Sequence, residues 1–120
     1  MMPGCLRVLM AARLAARERV LTGTRNGCVK PCRIWTGAQS RGGQRPSSGP
    51  YGSIYVPGTG GVRVHVVVAW IAGLIPTLRV PEGMNIDHRC ERTLCMEPEH
   101  YAVIPAPDNQ ALRWSRRRAA

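Results

Sequence analysis

The alternation of apolar and polar residues along the first half of the chain predicts short strands joined by turns. Residues 51–56 (YGSIYV) alternate as a strand does, residues 57–61 form a turn, and residues 62–65 return as the partner strand. Residues 33–36 predict another short strand. Residues 38–50, rich in Gly, Ser, Gln and Arg, predict a cationic loop. This half of the chain therefore contains a hairpin preceded by a polar loop.

Helical patterns lie on either side of this hairpin. Residues 1–23 predict a basic helix of moderate amphipathicity, with apolar residues near one face at Leu6, Met10, Leu14 and Leu21. Residues 66–73 (VVVAWIAG) favour a short buried helix that Gly73 and Pro76 bring to an end, although the valines suit a strand equally well.

The last third of the chain predicts two strands followed by a helix. Residues 84–88 form the first strand, residues 90–98 a tight loop, and residues 101–104 the returning strand. Residues 107–118 form a helix, and the cations near its C-terminus, which suit the helix dipole, are Arg113, Arg116, Arg117 and Arg118.

Composition limits what this pattern can build. A chain of 120 residues without Phe, and with three Trp and three Tyr, fits one domain with a thin core that a metal would help to stabilise. Its net charge of +10 favours a polyanionic partner, most commonly nucleic acid, although basic proteins without that role also exist. Residues 1–23 are therefore either a DNA-contacting arm or a helix packed on the core, with an organelle transit peptide the less favoured alternative. No apolar run approaches the length of a membrane span.

The five cysteines and their spacing indicate a metal site. Without a secretory signal the thiols are expected to stay reduced, so closely paired cysteines favour metal over disulfides. Cys90 and Cys95 form one pair, and His100 follows after another gap of four residues. Structural zinc takes four Cys or His ligands, so a fourth is expected upstream, from either Cys28 or Cys32.

A second group of residues in the same stretch suits proton and hard-metal chemistry. Hydrolysis of a phosphodiester needs an activated water and charge stabilisation at the phosphate. His88, at a strand end, can act as the base near neutral pH. Asp87 and Asn109 offer oxygen atoms for a cation such as Mg²⁺. Taken singly these residues are weak indicators, and their spacing relative to the cysteines is what combines them.

These residues together resemble the HNH endonucleases of the ββα-metal superfamily. The pattern is Asp87-His88-x-Cys90-x4-Cys95-x-Glu97-Pro98-Glu99-His100, followed by Asp108-Asn109. Its order and gaps are also similar to those of the His-Cys-box homing endonucleases. Upstream, CRIWTG (residues 32–37) resembles the family's Cys-x-x-Trp-Thr-Gly opening. Tyr51-Gly52, Val64-His65 and the GLIP segment (residues 73–76) match its middle. The resemblance covers residues 28–113.

The resemblance implies a fold, a reaction and a role for each residue. It implies an α+β fold in which residues 24–118 form the nuclease domain, with a ββα-metal core at about 84–118 preceded by a β-hairpin. His88 would be the general base, Asn109 a ligand of Mg²⁺ or Mn²⁺, and Asp87 a second ligand. The structural Zn²⁺ would be held by Cys32, Cys90, Cys95 and His100, because the family places the upstream ligand beside the Trp motif. The products would carry 5′-phosphate ends.

The resemblance also implies partners and exposes two departures. Double-stranded DNA would be the substrate of a cytoplasmic monomer or homodimer, with phosphate contacts expected from Arg41, Arg45, Arg63, Arg113, Arg116 and Arg117. The family's usual Asn is Glu97 here, and an ionised carboxylate can accept but not donate a hydrogen bond. The basic residue that often follows His65 is Val66. The alternative function is a non-catalytic, zinc-containing module that binds nucleic acid.

Overall fold

The computed structural model describes residues 3–40 and 50–119. Within them lie three helices, seven short strands and one 3₁₀ turn. In chain order these are α1 (Pro3–Ala15), β1 (Glu18–Val20), β2 (Arg33–Trp35), β3 (Gln39–Ser40), β4 (Tyr51–Val56), β5 (Gly60–Arg63), α2 (Val64–Ile71), β6 (Met84–His88), the 3₁₀ turn (Pro98–His100), β7 (Tyr101–Pro105) and α3 (Ala106–Ala119). The structure therefore confirms a small α+β fold.

The strands form three small antiparallel sheets: β1 with β2, β3 with β4 and β5, and β6 with β7. The strands over Tyr51–Val56 and Met84–His88 coincide with those predicted from the alternation of residues. The third sheet pairs His88 with Tyr101 across the two strands, and α3 begins directly after β7. The last third of the chain is thus a hairpin with a helix packed against both of its strands.

The core is built around α2, whose residues from Val64 to Trp70 are buried. The structure confirms the short buried helix predicted for this segment, although its valines suit a strand equally well. It begins two residues earlier than predicted, so His65 lies in the first turn of the helix and not in a strand. The side chain of His65 consequently faces the other buried elements of the protein.

The N-terminal segment differs from the single helix predicted for residues 1–23. The helix ends at Ala15, and Glu18–Val20 pairs with β2 as a strand. Met10 and Leu14 are buried in the core, as the apolar face predicted, whereas Leu21 packs beside the cysteines. The reason is tertiary, because pairing with β2 and an ion pair between Glu18 and Arg33 outweigh the local helical pattern.

Trp35 fixes the packing between the first two sheets. Its indole N–H donates a hydrogen bond to the Ala38 carbonyl over 2.8 Å. A Cβ atom at Gly52 would lie 2.6 Å from Trp35 Cδ1 and 2.9 Å from Val64 Cγ2, so a glycine is required there for close packing. This contact ties β2 to β4 and to the first residue of α2.

The predicted cationic loop lies mostly beyond the described residues. Gln39 and Ser40 form β3, which pairs with β4, and residues 41–49, with Arg41 and Arg45, lie outside the described part. In the part of the chain that the structure describes, no helix is long and apolar enough to cross a membrane.

Candidate metal centre and histidine cluster

Four buried side chains from opposite ends of the sequence meet beside β2. Their ligand atoms all lie within 4.8 Å of one another, and they belong to Cys32, Cys90, Cys95 and His100. His100 Nδ1 is 3.6 Å from Cys32 Sγ and 3.4 Å from Cys95 Sγ. Three sulfurs and one imidazole in this space are a donor set that suits zinc in a closed structural site. The structure thus brings together the four residues that the resemblance implies.

Backbone hydrogen bonds hold residues 90–100, here called the metal-ligand loop, against β2. Trp35 N donates to Leu94 O over 2.9 Å, and Met96 N donates to Arg33 O over 2.6 Å. These two bonds fix Cys95, which lies between their loop partners, opposite Ile34. The upstream cysteine and the downstream ligands are therefore brought together by backbone pairing as well as by their side chains.

A backbone carbonyl orients the imidazole of His100. His100 Nε2 lies 2.7 Å from Lys30 O, and a carbonyl oxygen can only accept, so Nε2 must carry the proton. Nδ1, which faces the sulfurs, is then left with a lone pair. Metal-binding histidines commonly donate their other ring N–H in this way, which fixes the tautomer and the ring orientation.

The thiols interact strongly enough to shift one another's proton affinity. A hydrogen bond between Cys90 and Cys95 raises the pKa of the first thiol and lowers the pKa of the second. The Glu97 backbone N–H also donates to Cys95 Sγ, over 3.4 Å, and helps to lower that pKa. A bound divalent cation would favour the thiolate form of the sulfurs that ligate it.

Cys28, the other upstream candidate, packs against this cluster but does not belong to the ligand set found among the described residues. It is only half-buried, and burial together with the neighbouring Cys90 and Cys32 raises the pKa of its thiol. The geometry thus favours Cys32 as the upstream ligand.

Asn26 ties the N-terminal part of the chain to the metal-ligand loop. Its Nδ2 donates to Arg89 O over 3.1 Å and to Glu91 Oε2 over 2.8 Å. Asn26 and Glu91 both have positive φ values, 54° and 61°, so each forms a tight turn. Sequence analysis did not select either residue, although Asn26-Gly27 is a typical signal for a turn with left-handed backbone.

Glu97 is buried within the metal-ligand loop and caps its 3₁₀ turn. Its Oε1 accepts a hydrogen bond from the Glu99 backbone N–H over 3.3 Å. Its Oε2 lies 3.8 Å from an Arg33 guanidinium nitrogen, and Arg33 also pairs with Glu18. In this structure Glu97 therefore acts as an acceptor toward its own loop and toward β2.

Four aromatic rings from four different elements form a column through the protein. Successive ring centroids are 5.2 Å apart from Tyr51 to His65, 5.3 Å from His65 to His88, and 4.8 Å from His88 to Tyr101. At one end the Arg63 guanidinium lies 4.6 Å over the Tyr51 ring. At the other end the Tyr101 hydroxyl donates to the Cys95 carbonyl, so the column reaches the metal-ligand loop.

The two histidines in this column are deeply buried and neutral. Burial lowers the pKa of His65 to about 3, with neighbouring His88 and Arg63 adding to the effect, and burial lowers the pKa of His88 to about 4. Among the described residues, His65 Nδ1 and His88 Nε2 have no hydrogen-bond partner. The contact between His65 and His88 was not predicted from the sequence, in which His65 stands out only through the family resemblance.

Asp87 faces the final helix instead of the histidines. Successive residues of a strand point to opposite sides, so Asp87 and His88 lie on different faces of β6. Arg116 donates to both carboxylate oxygens of Asp87, over 2.8 Å and 3.0 Å, and also lies 3.6 Å from Glu91. Asp87 was predicted to bind a cation and Arg116 to contact DNA. In the structure Arg116 engages both carboxylate oxygens of Asp87.

The remaining predicted residues are distributed around this hairpin. Asn109 is buried in the first turns of α3, the helix that packs on β6 and β7. Arg63 lies over Tyr51, and Arg113 is half-exposed on α3. The side chain of Arg117 lies outside the described part of the structure.

Comparisons with known proteins leave the family of this chain unassigned. No protein-family model matches it, and it matches neither a curated protein nor a solved structure.

Proposed function

We propose that this protein is a zinc-stabilised, divalent-metal-dependent HNH endonuclease that hydrolyses phosphodiester bonds in DNA. The observation that carries the proposal is the setting of His88. This buried histidine ends β6 between the rings of His65 and Tyr101, two residues before Cys90 of the candidate metal centre. A loop, the returning strand β7 and helix α3 follow it, in the order that the motif resemblance requires.

The rigidity of the surroundings supports His88 as the general base. Its ring contacts His65 on one side and Tyr101 on the other, and the metal-ligand loop begins two residues later. A base held in this way keeps a fixed direction toward the water that it deprotonates, which favours in-line attack on the phosphorus. Its lowered pKa keeps the imidazole neutral at pH 7, which is the protonation state that a general base requires.

The cation in this proposal is held chiefly by Asn109. A bound Mg²⁺ or Mn²⁺ supplies charge stabilisation at the phosphate and the leaving oxygen. Asn109 offers a side-chain oxygen from the helix that packs on β6. Asp87 is a second ligand in this scheme only if its carboxylate exchanges Arg116 for the cation.

Charge supports DNA as the substrate. The net charge of +10 provides the electrostatic attraction that dominates non-specific binding to phosphates. Arg63 and Arg113 are proposed phosphate contacts among the described candidates, whereas the Arg116 guanidinium binds two carboxylates. Such contacts supply affinity and orientation without sequence specificity.

A non-catalytic, zinc-containing module that binds nucleic acid is the second candidate. Two observations favour it. Glu97 occupies the position of the family's asparagine and accepts hydrogen bonds within its own loop. The carboxylate of Asp87 is also fully paired. Both features would leave a folded, basic domain without a complete reaction centre.

A plasmid-nicking assay separates the two candidates. Purified protein with measured zinc content is incubated with supercoiled DNA, with and without Mg²⁺ or Mn²⁺. We expect metal-dependent nicking that His88→Ala abolishes without loss of zinc, while Asn85→Ala, an exposed position in the same strand, remains active. Zinc-loaded protein that binds DNA but nicks it under none of these conditions refutes the enzyme and leaves the binding module.

A further inference from the structure

Two buried nitrogens without partners lie on neighbouring rings of the aromatic column. His65 Nδ1 comes from the first turn of α2 and His88 Nε2 from the end of β6, and neither finds a hydrogen-bond partner in the described part of the chain. Buried polar groups are almost always paired, so each exception calls for an explanation. Two exceptions on rings in contact have one shared explanation, namely that each nitrogen is the intended partner of the other.

The spacing of the rings allows this bond. Since an imidazole nitrogen lies roughly 1.1 Å from its ring centroid, rings 5.3 Å apart can bring one nitrogen of each to about 3 Å, an ordinary hydrogen-bond length. A neutral imidazole has one N–H and one lone pair, so one ring donates and the other accepts.

We propose that His65 is a positioning residue for His88, and that its Nδ1 forms a hydrogen bond with His88 Nε2 in the active protein. This inference rests on the proposed function, because it assigns a role relative to the base of that reaction. In this bond the Nε2–H of His88 donates to the Nδ1 lone pair of His65, which leaves the lone pair on Nδ1 of His88 to take the proton from water. Tyr51 and Tyr101 close the column on both sides and prevent either ring from turning away.

Packing alone does not account for a histidine at this position. A phenylalanine would fill nearly the same volume between Tyr51 and His88 without burying an unpaired nitrogen. The helix offers no other partner to the His65 Nδ1 atom among the described residues. Since an apolar ring would suit this position better, we infer that His65 Nδ1 forms a hydrogen bond in the active protein.

Two substitutions with opposite chemistry test the proposal. His65→Phe keeps an aromatic ring and removes both nitrogens, whereas His65→Gln loses the ring but keeps an amide that can bond to His88. We expect zinc content and KM for DNA to be unchanged in both. The kcat of the Phe variant should fall on the order of 100-fold, the cost of a misplaced catalytic group, and the Gln variant should recover most of that loss. A Phe variant with the kcat of the wild type, or a Gln variant as slow as Phe, overturns the proposal.

A second measurement does not depend on catalysis or on a variant. In zinc-loaded wild-type protein with isotope-labelled histidines, NMR should detect a scalar coupling across an N–H···N bond between His65 and His88. If no coupling is detected, the proposed hydrogen bond between His65 and His88 is refuted. Because this measurement uses the wild type, it holds even if His65→Phe fails to fold. If the wild type binds zinc but never cleaves DNA, the proposed function fails, and the coupling still decides whether the two nitrogens are bonded.

Discussion

Replacing Cys32 should remove most of the stability of the protein. A domain of 120 residues has a free energy of unfolding of about 6–18 kcal/mol at typical values per residue. A structural zinc in a site of this kind contributes about 10–16 kcal/mol. The metal-free chain is therefore expected to be close to its unfolding midpoint. Cys32→Ser, which weakens the only ligand drawn from upstream in the described set, should release zinc and broaden or abolish the thermal transition.

Cys28→Ser is the matched control, because this thiol packs against the cluster without belonging to the ligand set. Zinc per chain is measured by elemental analysis and unfolding by circular dichroism, both before and after a chelator is added. The control should keep one zinc and the melting temperature of the wild type. A Cys32→Ser protein with a full equivalent of zinc and an unchanged melting temperature would refute the assignment, and loss of zinc from the control alone would identify Cys28 as the ligand.

Three further predictions concern the packing around the site. Arg116→Gln leaves the buried carboxylate of Asp87 unpaired and should lower the free energy of unfolding in urea by about 2 kcal/mol, since the arginine is partly exposed. Adding Asp87→Asn should restore most of that stability. A double variant as unstable as the single one would contradict the ion pair. Gly52→Ala should lower the free energy of unfolding by about 1–3 kcal/mol through overpacking against Trp35. Gly61→Ala, which has open space around it, should be nearly neutral. Equal effects of the two substitutions would contradict the close packing of Gly52 on Trp35. Burial lowers the pKa of His65 to about 3, so the unfolded chain binds its proton first. The stability that neutral His65 contributes is therefore fully present above pH 6.5. Below that pH the free energy of unfolding should fall by about 1.4 kcal/mol per pH unit. This dependence, measured by unfolding at several pH values, should be weaker in His65→Phe.

Local patterns in the sequence predict the elements better than they predict the partners of each side chain. The alternation in Tyr51–Val56 and Met84–His88 identifies strands because one face of each is more buried than the other. The N-terminal helix stops at Ala15, short of the predicted end, because Glu18–Val20 pairs with a strand that is distant in sequence. Helical periodicity carries no information about such a partner.

The same distinction applies to the site. The spacing of Cys90, Cys95 and His100 predicts their convergence because all three lie in one short loop. The choice between the upstream cysteines required the pairing of β2 with that loop. The engagement of Asp87 by Arg116 depends on how α3 packs on β6, which side-chain chemistry alone does not determine.

The position of the metal ligands along the chain has a topological consequence. Cys32 and His100 are 68 residues apart in the sequence, and β2, β3, β4, β5, α2 and β6 lie between them. A metal at this centre would therefore act as a reversible cross-link. Together with the backbone between Cys32 and His100, it would close a loop that contains helix α2. After a single cut in the backbone inside that loop, the two fragments would stay joined by the metal in a denaturant mild enough to spare the metal–sulfur bonds. Adding a chelator would then separate them.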